Sequence, residues 1–162
     1  MWFRKRRSAM PDDEIGRLIA EERFQELRDF VSTQYRLLAP DMETAKGNVQ
    51  KLVDLANAFQ KPAKSHDGLR WEMHNLCHSI ENIAGEMYED AIRRYGELKQ
   101  SAGDLEMARA EVTAMRRALA ILSFAVGIAG AQNTYSRSNY RYWRDYTMNC
   151  EYAIASRRYY DA

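Results

Sequence analysis

The chain has 162 residues, 46% of them hydrophobic, and a formal net charge of +1. The length fits one domain or an elongated helical unit, the apolar fraction is enough for a core, and the charge is too small for a whole-surface attraction to nucleic acid. Three prolines and eight glycines are few, and the abundance of Ala, Glu, Arg, Met and Leu favours helix throughout.

The first ten residues read as a basic arm, in which Met1-Trp2-Phe3 precedes Arg4, Lys5, Arg6 and Arg7. No apolar stretch of the kind a secretory signal needs follows them. Their charge suits an anionic surface, either phospholipid headgroups or nucleic-acid phosphates, although a solvated flexible start accounts for the same residues. The basic excess sits at the two chain ends: +4 over residues 1–10 and +2 over 135–162, against −4 over 11–60.

A first helix is expected from Pro11 or Asp12, where proline suits the first turn and Asp12, Asp13 and Glu14 complement the positive helix end. Its apolar positions, among them Ile15, Leu18, Leu27 and Val31, recur at three- and four-residue steps. Pro40 stops it. Asp41 then caps a second helix, with Met42, Ala45, Val49, Leu52, Val53, Ala56 and Phe59 along one side. Lys61–Ser65 reads as a loop around Pro62.

A third helix is expected from about Asp67 to Gln100, with an apolar stripe running from Leu69 through Cys77, Ile80 and Tyr88 to Leu98. At about 1.5 Å per residue it is some ~50 Å long. Such a length favours an elongated bundle. Ser101-Ala102-Gly103 breaks it, and Asp104 caps the next helix.

The fourth helix carries the cleanest heptad pattern, through Leu105, Ala108, Val112, Met115, Leu119, Leu122, Val126 and Ala129. From Ala118 to Ser136 there is no charge, and residues 118–131 are apolar nearly all round. A helix apolar on every side asks for cover on every side. The last segment of the chain, a second subunit or lipid would each provide it. A membrane span needs roughly 20 mostly apolar residues, and this run is shorter and ends in Gln132-Asn133-Thr134, so a buried helix is favoured over insertion of residues 118–135. Its small residues, including Ser123, Gly127 and Gly130, leave room for a second backbone to approach.

Residues 133–139 read as a turn, or as a polar interruption in one very long helix. A last helix follows over about 139–158, with Tyr140, Trp143, Thr147, Cys150 and Ile154 at heptad-like spacing. Seven of the ten tyrosines fall between Tyr135 and Tyr160, interleaved with Arg137, Arg141, Arg144, Arg157 and Arg158. Tyr, Trp and Arg are the residues enriched at protein interfaces, and they also stack on bases and bind phosphate. For nucleic acid the arginines should form one stripe, and Asp145 and Glu151 interrupt it.

Signs of chemistry are thin. His74 and His78 share a helix face beside Cys77, a spacing able to hold a metal, but Cys77 lies on the apolar stripe and no second cluster completes four ligands. No metal site and no cofactor are expected. There is no phosphate-binding glycine loop and no paired nucleophile and base, so the chain does not read as an enzyme. The two distant cysteines, Cys77 and Cys150, read as reduced buried thiols of a cytoplasmic-type compartment or of a particle.

The fold expected is therefore all-α: an elongated antiparallel bundle of about four to five helices, with a long third helix and an apolar fourth. Residues 1–10 form the arm, 11–134 the bundle and 135–162 a Tyr/Arg-rich tail. The function expected is a structural or assembly subunit that associates with itself or with other proteins. Its candidate interface is Leu119, Leu122, Val126, Gly127, Gly130, Tyr140, Trp143, Tyr146 and Ile154. The alternatives are a nucleic-acid-associated protein, such as an internal virion component, using Arg4, Lys5, Arg6, Arg7, Arg137, Arg141 and Arg144, or a membrane-active protein inserting 118–135. No small-molecule substrate is expected.

Overall fold

The computed structural model describes residues 11–101, 104–129 and 134–156, without the side chains of 11–13, 65, 129 and 134–138. Among the described residues it is all-α, with seven helices and no strand. Its contacts divide the chain into two compact units, Met1–Leu76 and Cys77–Ala162, and the division falls inside the longest helix.

In the first unit, α1 (Pro11–Ala20) and α2 (Phe24–Leu38) take the place of one expected helix. The break is made by Glu22, which adopts a left-handed conformation at φ 55°. The amide of Arg23 then donates to the Leu18 carbonyl at 2.8 Å and that of Glu22 to Ile19 at 3.0 Å, the two bonds of a Schellman ending. Glycine usually takes this position, so no composition cue marks the break. α2 ends before Pro40. Asp41 caps α3 (Met42–Gly47), accepting from the Thr44 amide at 2.8 Å and its hydroxyl at 2.9 Å. Asn48 separates α3 from α4 (Val49–Ser65), and its side-chain amide donates to the Leu38 carbonyl at 2.9 Å. It thereby satisfies an acceptor that the end of α2 leaves open.

Lys61–Ser65 is not a loop but the end of α4, with Pro62 inside the helix. Pro62 forgoes one backbone hydrogen bond, yet it and Ala63 are buried, and that burial holds the turn. Leu18, Leu27, Val49, Leu52, Leu55 and Phe59 form the fully buried centre of this unit. α5 (Asp67–Gln100) starts here, and its Gly68 carbonyl accepts from Arg28 Nη2 at 2.5 Å.

The second unit is built from the remainder of α5, α6 (Leu105–Ala129) and α7 (Thr134–Ala155). One core joins all three: Tyr88, Ala91 and Tyr95 of α5, Ala108 to Leu119 of α6, and Cys150 and Ile154 of α7. Arg94 Nε donates to Glu111 across α5 and α6 at 2.9 Å. α7 starts at Thr134, so the turn expected up to residue 139 is helical from there on. No glycine or proline falls between 134 and 139, and a merely polar run does not stop a helix.

Seven helices instead of four to five thus follow from two local endings, at Glu22 and Asn48. No helix among the described residues is long and apolar enough to cross a membrane.

Candidate functional site

α7 is amphipathic, and its two sides do different work. The inner side is the heptad seam. Thr147, Cys150 and Ile154 are buried, while Tyr140, Trp143 and Tyr146 are half-buried and packed against the core. Trp143 stacks on Tyr88, ring centres 4.7 Å apart and planes at 21°. The Tyr88 hydroxyl lies 2.5 Å from the Trp143 carbonyl and 2.7 Å from the Thr147 hydroxyl, which itself lies 2.8 Å from that carbonyl. Burial pushes the Tyr88 phenol up to about 12, and burial with the Cys150 thiol nearby does the same to Tyr146.

α6 runs antiparallel to α7, packs closely on it, and is bridged to it by a two-pronged ion pair from Arg116 to Glu151. Ala118, Leu119, Ile121, Leu122 and Ala125 are buried and Val126 is half-buried. The cover that residues 118–131 ask for is thus supplied in part by the chain's own last helix. What α6 turns outward there is small: Ala120, Ser123 and Gly127 are exposed. A Cβ added at Gly127 meets no atom within 4 Å, so among the described residues no other helix of this chain approaches closely there. Gly130 lies outside the described residues.

An open groove follows the seam between the two helices on this outer side. Its apolar and aromatic lining comes from Leu119, Ala120, Tyr140, Met148, Tyr152 and Ala155, and Arg116, Arg144 and Glu151 supply its charge. Met148 is 56% exposed and Tyr152 and Tyr142 are each 68% exposed, high values for large apolar side chains. Arg141 and Arg144 are exposed as well; Arg144 pairs with Asp145 at 3.5 Å.

Of the nine interface candidates read from the sequence, the structure gathers Leu119, Leu122, Trp143, Tyr146 and Ile154 into the chain's own interior or against it. Gly127 is left outside. Met148 and Tyr152 are absent from those candidates, although they stand opposite the Thr147–Cys150–Ile154 seam on a helical wheel. Arg4, Lys5, Arg6 and Arg7 and the side chain of Arg137 lie outside the described residues.

Burial, with Glu81 nearby, pushes the Cys77 thiol up to about 12, and burial also raises Cys150. Metal ligation and nucleophilic attack both need the thiolate. Among the described residues no group of three or more His, Cys, Asp or Glu is placed to hold a metal ion. Comparison with protein-family models, with curated proteins and with solved structures returns no match.

Proposed function

We propose that this chain is a non-catalytic helical subunit that works by assembling with protein through the outer face of α6 and α7. The observation that carries the reading is the exposure of Met148 and Tyr152 along an open groove, on a helix whose other large apolar side chains are mostly packed inward. Tyrosine beside arginine is the composition of interface hot spots, and a large side chain taken out of water contributes about 1.5–3 kcal/mol. Two thiols held protonated support a role without covalent chemistry. In this reading the basic arm adds attraction to an anionic surface.

The test is light-scattering mass of the full chain on a detergent-free column, with nucleic-acid and protein absorbance followed across the peak. A nucleic-acid-free assembly is the expected result. A single-chain mass carrying nucleic acid that strong salt strips away would overturn it in favour of the second reading, nucleic-acid association, which the exposure of Arg141 and Arg144 supports.

A further inference from the structure

We infer that the α6–α7 groove takes a second copy of this chain, the two α7 helices lying antiparallel about Met148 with each Tyr152 seated over Ala120 and Ser123 of the other copy. This rests on the protein-binding reading above and specifies the partner.

The face is self-complementary in shape. The Arg116–Glu151 pair sets the register within one hairpin, placing Ala120 level with Thr147 and beside Met148, and Ser123 level with Arg144. Two-fold pairing about Met148 brings Tyr152 of one copy level with Arg144 and Ser123 of the other. The largest exposed side chain of the groove then meets two small exposed residues of α6, and Arg144 meets the face of a tyrosine ring.

Charge selects the same orientation. Within the groove, Arg144 stands on the N-terminal side of Met148 and Glu151 on the C-terminal side. Antiparallel pairing sets each Glu151 between its own Arg116 and Arg144 of the other copy. Parallel pairing sets Arg144 against Arg144 and Glu151 against Glu151, a repulsive arrangement. Asp145 does not line the groove and is already engaged by Arg144 at 3.5 Å.

Size sets the strength. The groove side of α7 from Tyr140 to Ala155 is about 24 Å long, and two helices side by side are about 20 Å wide. That gives roughly 500 Å² per copy, or about 1,000 Å² in all, the lower limit for a specific interface. The dimer is therefore a weak one that forms and dissolves with concentration.

The experiment measures the mass of the full chain by light scattering while its concentration is raised to roughly 100 µM, far above a micromolar dissociation constant. Mass should climb from one chain to two and stop there. Met148→Glu, at an exposed position, should hold the mass at one chain with unchanged helical circular dichroism. Mixing Arg141→Cys with Ala155→Cys chains should give a cross-linked pair with a short bismaleimide, because antiparallel pairing puts these positions level. A wild type that keeps single-chain mass throughout overturns the inference and leaves the broader reading to a different protein partner. A dimer that persists in Met148→Glu, or Arg141→Cys chains that link only to each other, also overturns it while leaving self-assembly in place.

Discussion

Removing one hydroxyl tests how α7 is fastened to its unit. Tyr88 is fully buried, and three close contacts tie its hydroxyl, the Thr147 hydroxyl and the Trp143 carbonyl together at 2.5, 2.7 and 2.8 Å. The two hydroxyls carry two protons for three contacts, so one hydroxyl donates to the carbonyl while the other donates to its neighbour, and either can serve the carbonyl alone. Tyr88→Phe keeps the ring and its stack on Trp143 and deletes one donor, so it costs about 1 kcal/mol. Thr147→Val deletes the other at a similar cost, because the surviving hydroxyl still serves the carbonyl. The double variant leaves that carbonyl with its helical partner alone, and it should cost about 0.5–1 kcal/mol more than the sum of the two. Urea unfolding followed by circular dichroism, with equal slopes across the four proteins, reads this coupling directly. On heating, Tyr88→Phe should lower the midpoint by about 2–4 °C. A Tyr88→Phe protein indistinguishable from wild type would refute the hydrogen-bond assignment. Strict additivity would refute the sharing of one carbonyl.

The same burial predicts alkaline sensitivity. Tyr88 and Tyr146 are raised from 10.0 to about 12 and Cys77 from 9.0 to about 12, so between those values the folded chain keeps protons that the unfolded chain loses. Stability should therefore fall as pH rises above about 9 and be insensitive to these groups below it; a urea midpoint flat up to about pH 11 would count against their burial. Glu22→Gly should raise stability by about 0.5–1 kcal/mol by relieving the left-handed backbone, whereas Glu22→Ala should not, and equal midpoints for the two would remove strain from the account. A Cβ on Gly68 would stand 2.5 Å from Arg28 Nη2, so Gly68→Ala should displace that donor, and the roughly 1 kcal/mol of hydrogen bonding lost should cancel alanine's gain of about 1 kcal/mol in helix propensity. In an Arg28→Ala background the same change should become stabilising, and a neutral or destabilising effect there would point to another clash.

Periodicity reads buried seams well, because a seam is a property of the residues that make it. The bounds of α5, the stripe from Leu69 to Tyr95 and the Thr147–Cys150–Ile154 seam are all legible for that reason. Helix endings are less so when they depend on partners distant in sequence. Asn48 ends one helix and reaches back to Leu38, and nothing around residue 48 announces that acceptor. Glu22 occupies a conformation that its residue type disfavours, so no propensity could point to it. Pro62 carries the strongest local stop signal in its segment and is overruled by the burial of Pro62 and Ala63.

A heptad position satisfied inside the chain cannot also be offered to a partner unless the unit opens. Trp143 already lies on Tyr88, and Ile154 already belongs to the core with Leu119. Recruiting them would mean peeling α7 away and breaking the Arg116–Glu151 pair together with the Tyr88 network. Met148 and Tyr152 need no such opening. They break the polar pattern expected of an outward face, and the proposed interface rests on that mismatch rather than on the match to a heptad. On α6 the corresponding departure is the absence of charge at Ala120, Ser123 and Gly127, where a solvent-facing helix ordinarily carries it. Two adjacent helices depart from the rule on the same side of one hairpin, and the groove between them is where those departures meet.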